Sequence, residues 1–342
     1  MRTTSVFRLF RAPALVLCLP LILALIAACG GGDSSDPTVS VSGVTSATAS
    51  PTRKASGSAT ETPTPTAVPT MAPTPVRTPN DLPTLGNTPT PGPTAVNALG
   101  DEKLFLVLGD SLGYGNGSSD RGRTSFAALT YAGLGAGYEV LNLAVPGYTS
   151  QDLIDRELDS ATTEMESRLN DGIPGNETAG ISLEIGGNDL LNLYDSLVVS
   201  GLCPSVPEAL QKQECVDGLK GALDNYKPHL ETILDRLRAA DPNVPIFVST
   251  LYNPFSGGSV NLDGIGVLAL EGQDGTPFPE GLNDIIREVT AAKGDILVEW
   301  YPLFIGGVNT LISRDLIHPN DIGHSLMAQA LLDAMHAHGV GN

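Results

Sequence analysis

Gly109-Asp110-Ser111-Leu112-Gly113 closes an apolar run and sets a small hydroxyl between glycines in a turn. A serine hydroxyl is a poor nucleophile at neutral pH. It attacks an acyl carbon only when a positioned base takes its proton and a third group holds that base in one tautomer. Of the five histidines, His229 lies mid-helix after a proline, His324 lies on the last helix, and His336 and His338 lie at the C-terminal end. Packing or surface roles account for those four. His318 differs, because Asp315 precedes it by three residues and Pro319 fixes the chain just after it. One short turn there can aim the imidazole outward while the carboxylate accepts its Nδ1 hydrogen. Acyl transfer also needs donors aimed where negative charge develops, each worth about 3 kcal/mol. Gly147 offers an unhindered backbone N–H, and Asn188, in Gly186-Gly187-Asn188-Asp189, offers a side-chain amide. Each of these two motifs, taken alone, reads equally as a turn, since turns favour both residue types.

These residues need a scaffold that gathers them. Five apolar, β-branched runs read as strands: Leu104–Leu108, Glu139–Ala144, Gly180–Ile185, Pro245–Leu251 and Asp295–Trp300. Most are continuous rather than alternating, as expected of strands buried on both faces. Between them, Ser125–Gly133, Ser150–Asn170, Val216–Ala240, Pro279–Lys293 and Asn320–His336 read as helices. In the third, Leu219, Leu223, Tyr226, Leu230, Ile233 and Leu237 form one apolar stripe, and Asp241-Pro242 ends it. Alternating strands and helices predict a parallel sheet in an α/β/α sandwich with right-handed crossovers. The site then gathers at the carboxyl ends of the strands. Two long connections, Asn192–Val216 and Tyr252–Gly281, are expected to set specificity. Ile265–Leu270 within the second is apolar enough to line an acyl groove or to be buried in an element of its own.

The G-x-S-x-G pattern also fits the nucleophile elbow of an α/β-hydrolase, but there acid and histidine arrive on separate loops. Here the serine ends the first strand, and acid and base share a turn. A phosphate-binding loop is excluded, because no Gly-Lys-Ser/Thr follows. Four blocks in order, Gly109-Asp110-Ser111-Leu112, Gly147, Gly186-Gly187-Asn188-Asp189 and Asp315-Leu316-Ile317-His318-Pro319, resemble those of the SGNH hydrolases of the GDSL esterase/lipase family. The resemblance runs from Leu104 to about Met335. It implies Ser111 as nucleophile, His318 as general base and then acid, and Asp315 orienting His318. The Ser111 N–H, the Gly147 N–H and the Asn188 side chain would form an oxyanion hole. It further implies a flavodoxin-like five-stranded sheet of order 2-1-3-4-5, with no metal and no cofactor.

The chain divides into three stretches. Residues 1–28 read as an export signal: Arg2, Arg8 and Arg11 precede an apolar stretch of about 15 residues, short for a membrane span. It ends in Leu25-Ile26-Ala27-Ala28-Cys29, which resembles the lipobox of bacterial lipoproteins, with Cys29 as the lipidated first residue of the mature chain. Residues 29–100 are dominated by Ser, Thr, Pro, Gly and Ala and read as a disordered tether. Residues 101–342 suffice for one α/β domain. The chain carries 19 Lys and Arg against 38 Asp and Glu, a net charge of −19. Only Asp33, Asp36, Glu61 and Asp81 of those acids precede residue 101. Such a field repels phosphate backbones and makes nucleic acid an unsuitable partner. Cys203 and Cys215, in an exported domain, point to a disulfide worth about 2–3 kcal/mol.

The expectation is a monomeric serine esterase, lipid-anchored to the outer face of a bacterial cell membrane, acting on lipid or small acyl esters. A carbohydrate O-acetylesterase acting on a glycan ester is the alternative within that chemistry, and a surface binding module on the same fold is the alternative outside it.

Overall fold

The structure, a computed structural model, describes residues 102–341. The expected export signal, the tether and Cys29 lie outside the described residues. Five strands, β1 (Lys103–Gly109), β2 (Tyr138–Asn142), β3 (Thr178–Glu184), β4 (Ile246–Ser249) and β5 (Ile296–Val298), form one sheet of order β2-β1-β3-β4-β5. Every neighbouring pair is parallel. In strand geometry successive side chains alternate between faces, and β1 uses both. Leu104, Leu106 and Leu108 enter one core, while Phe105 and Val107 enter the other.

The helices follow in chain order: α1 (Ser111–Tyr114), α2 (Phe126–Leu134), α3 (Ser150–Asp152), α4 (Leu158–Asn170), α5 (Gly187–Leu193), α6 (Val206–Gln211), α7 (Gln213–Ala240), α8 (Val260–Glu271), α9 (Leu282–Lys293), α10 (Val308–Leu311) and α11 (Asp321–Ala337). A π-helical turn, Leu153–Glu157, joins α3 to α4, and a second, Tyr194–Val199, follows α5. Residues of α4, α7 and α9 pack against the first face of the sheet, with Leu223, Tyr226, Leu230, Ile233 and Leu237 of α7 buried. Residues of α2 and α11 cover the other face, where Phe126 meets Trp300 edge to face with ring centroids 4.9 Å apart.

The sandwich and strand order agree with the sequence expectation, with strand ends differing by up to two residues. The two long connections carry structure of their own. Cys203 and Cys215 are disulfide-bonded and join the chain before α6 to the start of α7. Val260–Glu271 within the second connection is helical, with Leu268 and Leu270 buried.

Candidate active site

The sheet places Ser111 one residue beyond β1, at its carboxyl end. Asp110 caps α1, its carboxylate accepting the Leu112 N–H at 3.0 Å, and the helix begins at the serine. His318 reaches it from a turn 207 residues further on: the Ser111 hydroxyl donates to His318 Nε2 at 2.8 Å. On the opposite side of the ring, Nδ1 donates to Asp315 Oδ2 at 2.7 Å. Asp315 Oδ1 accepts the backbone N–H groups of Ile317 and His318 and the Ser313 hydroxyl. Although partial burial opposes ionisation, these four donors hold its carboxyl at about 2. The turn forces Leu316 to a φ of +66°, the one positive-φ residue other than glycine among those described. Tyr252 braces it, its hydroxyl donating to Ile317 O at 2.8 Å.

Gly117 lets this turn approach. With φ at +85°, a Cβ there would lie 2.2 Å from Pro319 O and 2.8 Å from His318 Cβ. His324, read from sequence as a packing residue, is buried in the same contact. Its Nδ1 accepts the Phe126 N–H and its Nε2 donates to Asn116 O. Burial lowers its pKa, which keeps the ring neutral in that arrangement.

The candidate oxyanion donors lie on the neighbouring strand ends. Gly147 follows β2, in a turn closed by the Tyr148 N–H on Val145 O. Asn188, at the start of α5, donates from Nδ2 to Tyr148 O at 2.9 Å and to Asp110 Oδ2 at 3.0 Å. Its amide therefore ties the Gly147 turn to the Ser111 turn, and its hydrogens must be shared with any oxyanion bound there. A second tie reinforces the first. Buried Ser150 donates from Oγ to Asp189 at 2.6 Å, its N–H donates to the same carboxylate, and its Oγ also pairs with His229 Nδ1 at 2.8 Å. Sequence reasoning gave His229 only a packing role. The N–H groups of Ser111 and Gly147 donate to nothing among the described residues.

An apolar groove opens beside Ser111 and His318, walled by Leu190, Tyr194, Leu219, Phe255, Ile265 and Phe278. The disulfide forms part of its lining, and α8 supplies one side. Both alternatives for Ile265–Leu270 thus hold together: the segment is helical, and its core residues Leu268 and Leu270 line the groove along with Ile265. Sequence reasoning missed three acids beneath the serine. Asp110, Glu157 and Glu184 are all buried, and burial pushes Asp110 up to about 6 even against its hydrogen bond from Leu112 N–H and the nearby His318 charge. Among the described residues no group of histidines, cysteines and carboxylates has the arrangement of a metal site.

The sequence profile described as "GDSL-like Lipase/Acylhydrolase family" matches residues 107–326. No curated protein matches the chain in sequence. Among solved structures, the lipase Lip_vut3 from a goat rumen metagenome superposes with a TM-score of 0.50 and 18% identity, covering 70% of this chain and 99% of that one. An acetylxylan esterase from Geobacillus stearothermophilus superposes with a TM-score of 0.47 and 19% identity, covering 69% and 95%. At such identities the likeness is one of fold, and the assignment rests on the profile, which spans from β1 into α11. The chain belongs to the GDSL-like lipase/acylhydrolase family and is a carboxylic-ester hydrolase.

Proposed function

We propose that this esterase cleaves lipid esters of medium to long acyl chain at the outer face of the cell membrane, working as a monomer through an acyl-serine. Ser111 Oγ attacks the acyl carbon as His318 Nε2 takes its proton. The carbonyl electrons move to oxygen, where the Ser111 and Gly147 N–H groups and the Asn188 amide receive the charge. Collapse expels the alcohol, which leaves with the proton from His318. Water then attacks the acyl-serine, His318 again removing a proton, and the acid departs as the proton returns to Ser111. Asp315 keeps the ring in the tautomer with hydrogen on Nδ1 throughout.

The groove carries the choice of substrate. An acetyl group needs no apolar channel, whereas each methylene buried from water contributes about 0.8 kcal/mol, and Leu190, Leu219, Ile265 and Phe278 line such a channel beside Ser111. The test is hydrolysis of p-nitrophenyl esters graded from acetyl to palmitoyl, with Ser111→Ala as control. The expectation is a kcat/KM that climbs with chain length through the medium chains and a variant that stays folded but inactive. A steep preference for acetyl would replace the lipid reading with deacetylation, and an unaffected Ser111→Ala would remove the mechanism.

The location is inferred from Cys29 and the residues before it. In a bacterial host, Cys29→Ser is expected to move the enzyme from the membrane to the soluble fraction and to abolish incorporation of labelled palmitate. Retention on the membrane with unchanged labelling would overturn the anchor.

A further inference from the structure

Two buried glutamates lie directly beneath the serine turn, and the acyl-transfer steps make no use of them. Glu184 ends β3, is 0% exposed, and pairs with Gly109 across the sheet. Its Oε1 accepts the Asp110 N–H at 3.0 Å and the Gly113 N–H at 2.8 Å. Glu157 ends the π-helical turn before α4, is 4% exposed, and accepts the Gly109 N–H at 3.1 Å. The Oε2 of each glutamate is buried and makes no hydrogen bond among the described residues. Neither glutamate has a lysine or arginine partner among those residues.

A turn leaving a strand must satisfy its N–H groups, and amide or carbonyl acceptors would do so without burying acids. Two carboxyls close to a third, that of Asp110, carry a desolvation and repulsion cost. Costs of that kind are retained at functional sites. The backbone is adapted to them. Gly109 has φ at +143°, and a Cβ there would lie 2.0 Å from Glu184 O and 2.5 Å from its Oε1. The π-helical turn is itself a feature found disproportionately at functional sites.

We propose that Glu184 and Glu157 are positioning residues for the nucleophile. They draw the N–H groups of Gly109, Asp110 and Gly113 inward, so that the turn presents the Ser111 hydroxyl to His318 and leaves the Ser111 N–H facing the substrate. This rests on Ser111 being the nucleophile. The groups that face the pair are Asp110 from the serine turn and the phenols of Tyr226 and Tyr252. Burial pushes Glu157 up to about 8 and Glu184 well above the usual carboxyl range, with the Asp110 charge adding to both. As neutral acids they accept the N–H groups without setting negative charge beneath a developing oxyanion.

The experiment is steady-state kinetics of the full chain on a soluble p-nitrophenyl ester, with folding followed by circular dichroism. Glu184→Leu removes the acceptor at similar volume and is expected to lower kcat by about ten-fold to a hundred-fold with little change in KM, since small misplacements of a reacting group cost on this scale. Glu184→Gln keeps a carbonyl acceptor and is expected to recover most of that loss. A folded Glu184→Leu with unchanged kcat, a loss confined to KM, or a Glu184→Gln as poor as Glu184→Leu would overturn the proposal. A second readout holds even where Glu184→Leu does not fold. Wild-type activity falls on the alkaline side as Glu157 ionises, and Glu157→Gln lacks that limb; an identical limb in Glu157→Gln overturns the role. Ser111→Ala separates the two levels, because its retained activity would remove the nucleophile itself, whereas its inactivity beside a fully active Glu184→Leu removes only the positioning.

Discussion

At the scale of single residues, the site depends on close approach between two chain segments far apart in sequence. Gly117 sits against the His318 turn with no room for a side chain. A methyl group at Gly117 meets backbone oxygen of Pro319 and Cβ of His318, and the φ of +85° disfavours any L side chain. Gly117→Ala is therefore expected to displace the imidazole rather than the groove. The predicted result is a kcat reduced by about a hundred-fold with KM nearly unchanged, read by steady-state kinetics alongside a thermal melt that shows the variant folded. A KM effect alone would mean the turn shifts against the acyl channel instead. Much of this residue scale was legible in the sequence. A serine at a strand end and an Asp-x-x-His turn are local patterns with a chemical reason. Glu157 and Glu184 were legible too, though they went unread. Leu153, Glu157, Ala161 and Met165 recur at four-residue steps and are all buried, so a carboxyl stands in an apolar stripe. Glu184 likewise ends a buried strand, between Leu183 and Ile185.

At the scale of elements, legibility tracked how strongly burial shapes the sequence. The inner strands β1, β3 and β4, buried on both faces, wrote themselves as apolar runs, and α7 wrote its stripe over many turns. α8 did not, because Gly264 and Gly266 sit inside it and glycine within a helix reads as a break. Space rather than propensity explains Gly266: a Cβ there would lie 2.3 Å from Asn253 Oδ1. Asn253 in turn donates to the Asp263 backbone and carboxylate, stitching the post-β4 loop to α8. The π-helical turns were not legible at all, since they insert a single residue into an otherwise helical pattern. The first of them matters to the site, because it delivers Glu157 beneath Gly109. The second, with the Cys203–Cys215 bond, shapes the wall of the apolar groove. The floor under Ser111 and the wall of the apolar groove are thus built from different elements: strand ends below, and connections between strands above.

At the scale of the whole molecule, an excess of acids meets a cluster of acids that resist ionising. The net charge of −19 at pH 7 works against the compact state through self-repulsion, increasingly so as pH rises. Asp110 and Glu157, raised to about 6 and about 8, hold protons in the folded chain that the unfolded chain releases nearer their ordinary values of 3.8 and 4.5. A raised carboxyl contributes stability that is complete below the unfolded value and lost as pH climbs through the folded one. Asp152, Asp171, Asp315 and Asp321 are lowered, and their contribution runs the other way, present above the ordinary carboxyl range and lost in acid. The two sets bracket a stability maximum at about pH 4–6, followed by a decline toward pH 8. Thermal melts from pH 4 to 9 on the full chain are expected to trace that decline. Glu157→Gln cannot titrate and is expected to flatten it selectively between pH 5 and pH 8, while leaving the acid limb in place. A wild-type melting temperature that rises across that interval would mean that Glu157 is ionised in the fold, and the acceptor beneath Gly109 would then be an anion rather than an acid.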